Sequence, residues 1–114
     1  MALGDDVNSF LKDFKQKART FDIIFYPRSK NTDALLQLGI TAKQREEAIM
    51  KLTSENYYRW PIEDIDPKMP IYFEFGTTIN GQEIYIKLNL GNFDDSPHCI
   101  SFHIAEYKLE YPIR

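Results

Sequence analysis

Apolar positions recur with a helical period in the first part of the chain and with a period of two in the last. In DDVNSFLKDFKQKA, Val7, Phe10, Leu11, Phe14 and Ala18 form one stripe, which predicts a helix within residues 1–19. Asp5 or Asp6 is placed to cap it, and Lys15, Lys17 and Arg19 suit its carboxyl end. The run FDIIFYP at 21–27 is β-branched and aromatic and is closed by Pro27, so it reads as a brief strand or an extended linker. RSKNTD follows as a polar turn. Ala34, Leu35, Leu36 and Leu38 then predict a two-turn helix ended by Gly39. Thr41 and Gln44 form a capping box ahead of Ala48, Ile49 and Leu52, which completes a helical region over 33–53. Its exit, SENYYRW, groups three large aromatic side chains beside Arg59. Three prolines and three acids within 61–70 predict an exposed loop.

From 71 to 107 the runs IYFEF, GTTINGQEIYIKLNL and CISFHIA alternate, and Asn80-Gly81 is the pair that a two-residue type I′ hairpin requires. Helices first and strands later predict an α+β fold, with amino-terminal helices packed on an antiparallel sheet of three or more strands. Placing the turn at Asn80-Gly81 pairs Ile79 with Gln82, Phe75 with Ile86, Glu74 with Lys87 and Tyr72 with Asn89. Ile84, Ile86, Leu88 and Leu90 then face the core, and Tyr85, Lys87 and Asn89 face the other way. For a third strand returning through GNFDDSPH, the register that matches core faces most naturally sets His103 opposite Lys87.

That register gathers Glu74, Lys87 and His103 in a row, with Tyr85 and Ser101 one step along. Strands lie about 4.8 Å apart, so the row can surround one phosphate-sized object. A histidine and a glutamate can divide acid and base work while a lysine neutralises charge growing on the reacting oxygens. Cleavage of a phosphodiester through the ribose 2′-hydroxyl needs those parts and no metal. The competing reading is an ordinary cross-strand charge ladder, because a Glu opposite a Lys is commonly a solvated pair worth a few tenths of a kcal/mol. By the same weighing, Tyr57, Tyr58 and Trp60 read as core before they read as a base-stacking platform, and His98 reads as a loop bystander.

Composition narrows the setting. A chain of 114 residues, 43% hydrophobic, is the size of one domain. It has no run of about 18 apolar residues, and its acidic, polar start lacks the layout of a secretory signal. These features predict a cytoplasmic protein without membrane contact. Cys99 is the single cysteine and reads as a small buried residue, with neither a disulfide nor metal-ligand spacing available to it. No metal and no cofactor is expected. The net charge of −3 means that any nucleic-acid contact must come from a local patch.

The run LLQLGITAKQREEAIMKLTSENYYR, the strand YIKL and then ISFH, spread over residues 33–104, resemble the MqsR family of type II toxin–antitoxin toxins, which are ribonucleases of the RelE-like fold. The resemblance implies a curved antiparallel sheet, an RNA (mRNA) substrate, a cognate antitoxin protein as partner, and the ribosome as a further candidate partner. It carries the family's catalytic lysine onto Arg59, its catalytic tyrosine onto Tyr85 and the following lysine onto Lys87. A glutamine of the family has no counterpart; Tyr72 and Glu74 stand in its neighbourhood. His103 stands where a lysine is usual. The expected site is therefore His103, Lys87, Tyr85 and Glu74 as catalytic residues, with Arg59, Tyr58, Tyr72 and Ser101 holding RNA. The alternative is a non-catalytic protein- or RNA-binding module of the same fold. The tail AEYKLEYPIR is expected to cover a sheet edge or to extend the site through Tyr107 and Lys108.

Overall fold

The computed structural model describes residues 3–62, 72–92 and 95–113, leaving out the side chains of residues 3 and 59–62. Helix α1 (Leu3–Phe21) carries the anticipated stripe, and Val7, Phe10, Leu11, Phe14 and Ala18 are all buried. Each of the four larger side chains contributes roughly 1.5–3 kcal/mol when fully removed from water. Asp5 and Asp6 lie inside the first turn, where their charge suits the helix dipole, and do not cap it. Of the three basic residues expected at the carboxyl end, only Arg19 is in the last turn. Lys15 and Lys17 reach sideways: their ammonium groups donate to the carbonyls of Leu52 (2.6 Å) and Leu90 (2.5 Å) and tie the helix to two loops. Burial, with Arg19 adding to it, lowers the Lys15 pKa.

The run at 21–27 makes a two-residue strand, β1 (Ile24–Phe25). Helix α2 (Ser29–Leu38) begins earlier than the apolar cluster suggested, because the segment expected to form a polar turn is its first turn and a half. Gly39 ends it at φ 68° in the left-handed region, with the Gly39 N–H donating to Leu36 and that of Ile40 to Leu35. Helix α3 (Ala42–Met50) starts on the capping box of Thr41 and Gln44, both arms of which are formed. One 3-10 turn over Ser54–Asn56 then leads into β2 (Tyr57–Ile62), a strand that the aromatic run did not announce. The expected loop at 61–70 thus begins later than proposed, since β2 runs through Ile62; the rest of it lies outside the described residues.

Strands β3 (Tyr72–Ile79) and β4 (Gln82–Asn89) form the hairpin, and β5 (His98–Ile104) completes an open sheet of order β1-β5-β4-β3-β2. The hairpin register is the expected one throughout, from Ile79 opposite Gln82 to Tyr72 opposite Asn89. Asn80 and Gly81 both have positive φ, as the turn type demands. The Asn80 side chain also donates to Leu38 O at 2.8 Å and fastens the turn to the end of α2. The sheet is mixed and not purely antiparallel, because β1 runs parallel to β5.

The third-strand register differs from the expectation. Lys87 faces Ser101, and His103 faces Tyr85. A slip by two residues preserves which face each side chain takes, so alternation alone cannot select between the two pairings. The loop and a bulge decide it. Leu88 pairs with Cys99 while Lys87 pairs with Ser101, so Ile100 is the extra residue of a β-bulge. In the loop, Gly91 has φ 70°, donates to the Asn89 side chain at 3.0 Å, and lies so close to Ser96 that an added Cβ would collide with its carbonyl. Because of the bulge Cys99 turns into the core, and Ile100 is buried outside the main cluster.

One cluster unites the inner sheet face (Phe73, Phe75, Ile84, Ile86, Leu88, Cys99 and Phe102) with the three helices. Phe10 stacks on Phe73 with ring centroids 4.2 Å apart. Beyond the short reach of β1, the outer edge of β5 is completed by a side chain. Asn31 of α2 donates from Nδ2 to Ile100 O (2.9 Å) and accepts at Oδ1 from Phe102 N (3.0 Å), so that one amide acts as a strand. No helix among the described residues is long and apolar enough to cross a membrane.

Candidate active site

The outer face of the sheet carries the polar side chains. Its rows are set by register: Glu74, Lys87 and Ser101 in one, and Gly76, Tyr85 and His103 in the next. Gly76 leaves a gap that the carboxyl-terminal tail fills. An added Cβ there would collide with the Tyr111 hydroxyl and stand 2.6 Å from Leu109 Cδ1. Glu83 holds that tail in place, accepting from Leu109 N and from the Tyr111 hydroxyl, each at 2.9 Å. The tail therefore crosses the outer face at the hairpin end and walls the Tyr85–His103 row.

Tyr85 is the hub of this face. Its hydroxyl donates to Glu74 Oε2. Tyr58 meets its ring edge-on at 6.3 Å between centroids, and the His103 ring lies 5.3 Å away on the other side. Glu74 is only 1% exposed, so its carboxylate works from beneath the surface. Lys87 sets its ammonium 3.8 Å over the Tyr72 ring, a cation–π arrangement that holds positive charge at the face.

The His103 ring is oriented by its own strand. Nδ1 lies 2.9 Å from Ile104 O. A carbonyl only accepts, so Nδ1 carries the hydrogen and the neutral ring presents its lone pair at Nε2. An imidazole held in that tautomer is ready to take a proton.

Two charged residues that the sequence did not single out complete the surroundings. A depression of about 150 Å³ is lined by Tyr85, His103, Glu106, Tyr107 and Leu109. Glu106 pairs with Lys30 of α2. Lys30 holds the Glu106 carboxyl below the usual carboxylate range by hydrogen bond and charge, and nearby His103 adds to the effect. Neither residue had a legible signal: Glu106 lies past the end of the alternation, and Lys30 lies in a stretch that reads as a turn.

Of the expected residues, Tyr85, His103, Glu74, Tyr58, Lys87, Tyr72 and Ser101 all lie on this face. His103 is partnered with Tyr85 and not with Lys87, and the position opposite Lys87 belongs to Ser101. Arg59 pairs with Glu74 along the backbone, and its side chain lies outside the described residues, as does that of Trp60. Tyr57 is buried in the core. His98 opens β5, its Nδ1 2.9 Å from the Tyr26 hydroxyl. Tyr107 is 68% exposed at the rim of the depression. Among the described residues no group of three or more His, Cys, Asp and Glu side chains could hold a metal ion. Comparison with protein-family models, with characterised proteins and with solved structures finds no match to this chain.

Proposed function

We propose that this chain is the toxin of a type II toxin–antitoxin system, a RelE-like endoribonuclease that cleaves mRNA in the cytoplasm without a metal. The observation that carries the reading is the Tyr85–His103 pair, two rings 5.3 Å apart at an open depression. Lys87 and Lys30 lie at the same face. The order of the motifs ending in YIKL and ISFH supports it independently.

In this proposal the scissile phosphate rests between His103 and Lys87. His103 Nε2 removes the proton from the ribose 2′-hydroxyl, and the freed oxygen bonds to phosphorus. The bond to the 5′-oxygen breaks, and that oxygen takes a proton from solvent reaching the open face. The products are a 2′,3′-cyclic phosphate and a 5′-hydroxyl. Lys87 offsets the charge that grows on the non-bridging oxygens. Tyr85 orients the ribose, and Glu74, buried behind it, is a positioning residue that fixes the Tyr85 hydroxyl. Tyr58 and Tyr72 offer ring faces and edges to neighbouring bases. The antitoxin would act by covering this face.

The test is cleavage of a defined RNA in chelator-containing buffer, with end analysis of the fragments and a substrate carrying a single 2′-deoxy residue at the cut. Cyclic-phosphate ends, and no cut at the 2′-deoxy position, are expected. RNA that binds and survives intact would instead favour a non-catalytic module, and wild-type protein that neither cuts RNA nor arrests growth on induction would end the proposal.

A further inference from the structure

We infer that the first turn of α2 and the bulged part of β5 form a binding site for a phosphate group beside His103. A cleft of about 350 Å³ is lined by Arg28, Ser29, Lys30, Asn31, Ser101 and His103. Helix α2 is ten residues long, and its N-cap residue, Arg28, makes no side-chain cap. Asn31 N and Thr32 N turn back to Arg28 O, so the N–H groups of Ser29 and Lys30 are the ones left without an acceptor among the described residues. Two unpaired donors at the positive end of a helix favour an anion.

A second observation comes from the facing strand. Ser101 is 6% exposed and lines the cleft, yet its hydroxyl makes no hydrogen bond among the described residues. Without such a bond, that hydroxyl is left to the cleft, where a phosphate oxygen would accept its hydrogen. Arg28 and Lys30 supply two cations at the rim. Arg28 packs its guanidinium 5.8 Å from the Tyr26 ring centroid, and Lys30 pairs with Glu106. The cleft shares His103 with the depression that holds Tyr85, so the two sites adjoin at that ring.

Resting on the nuclease reading, the ligand is an RNA phosphodiester next to the scissile one, held by main-chain N–H groups and Ser101 without regard to base. The site thus sets the register of the strand on the enzyme. It makes substrate length matter: an RNA with a phosphate on the far side of the cut gains affinity that a dinucleotide lacks.

Inorganic phosphate is the direct probe, because it needs no catalysis. In an NMR titration of the full chain at constant ionic strength, the amide signals of Ser29, Lys30 and Ser101 should shift saturably. Arg28→Glu should weaken that response about tenfold or more, with unchanged thermal stability, while Lys12→Glu on α1 leaves it as in wild type. Flat wild-type signals, or equal weakening by Lys12→Glu, overturn the site whether or not RNA is cut. If the chain does cut RNA, Arg28→Glu should raise KM for a longer RNA and leave kcat within about twofold. Equal KM for wild type and Arg28→Glu would show that phosphate binds there without serving the substrate and would overturn the subsite role. Phosphate binding by a chain that never cuts RNA would keep the site and remove only the nuclease reading.

Discussion

Glu74 accepts the hydroxyl hydrogen of Tyr85 from a position that solvent does not reach. The two residues sit on adjacent strands, one row apart, so the bond runs diagonally across the β3–β4 hairpin. It converts a half-exposed phenol into a group with one allowed direction. Removing either end should therefore damage the site in a distinguishable way. Tyr85→Phe should keep the fold and lose catalysis mainly in kcat. Glu74→Ala leaves a cavity where a buried side chain stood, so it should cost about 1–3 kcal/mol as well. Urea melts and single-turnover cleavage, measured on both variants, separate the two effects. If Tyr85→Phe cleaves as wild type does, the hydroxyl has no part in the reaction.

His103 is half-buried at the mouth of the depression and, among the described residues, bonds only to its own strand's backbone. His103→Ala should then lower RNA cleavage by roughly 10²–10⁴-fold, the worth of a general base, and leave the melting curve close to wild type. The pH–rate profile checks the same point from another side. A general base that must be unprotonated produces a rate that rises with pH and then levels off. A profile without that acid limb would remove His103 from the role.

Asn31 serves as the edge partner of β5 through two hydrogen bonds at 2.9 and 3.0 Å. Replacing it with Leu, similar in size, leaves Ile100 O and Phe102 N without partners. The expected loss is about 2–4 kcal/mol, because both backbone groups are buried. Hydrogen exchange at the Phe102 amide should speed up relative to Ile86, which belongs to the hairpin. Unchanged exchange at Phe102 would mean that the edge is satisfied in another way.

Cys99 is 1% exposed, and burial pushes its thiol up to about 12, although Arg45 and a backbone hydrogen bond with Ser101 pull it down. In the folded protein it should resist thiol reagents at pH 8 and react promptly in denaturant. The linkage has a definite sign. The folded thiol holds its proton while the unfolded one releases it near pH 8.5. Its contribution to stability is thus complete below that pH and declines as pH rises toward 12. Cys99→Ala should flatten the alkaline fall in stability. Rapid labelling of the native protein would contradict the buried placement.

What was legible came from local periodicity. The α1 stripe, the Thr41 capping box, the Gly39 stop and the Asn80-Gly81 turn all depend on residues within a few positions of one another. Each forms as the sequence predicts. The Ser29–Asp33 turn of α2 was missed because its residues favour caps and turns, and the packing of Ala34 and Leu38 on the core carries the helix backward into them. β2 was missed because aromatic side chains read equally well as helix exit or strand.

The sequence by itself determined which residues share a face: Tyr85, Lys87 and Asn89 opposite Ile84, Ile86 and Leu88, with the hairpin register that follows from a two-residue turn. Side-chain alternation and turn chemistry are properties of a few adjacent residues, so no distant segment is needed to set them. Tertiary structure decided everything that depends on segments far apart in the chain. The Ile100 bulge and the Gly91 loop chose the two-residue slip that sets His103 beside Tyr85 and Ser101 beside Lys87. The parallel pairing of β1 with β5, the Asn31 bridge, the Lys30–Glu106 pair and the tail over Gly76 likewise join residues about 30 to 75 positions apart. Such contacts depend on how the whole chain closes, because a slip of two leaves every side chain on its face and changes only its neighbours.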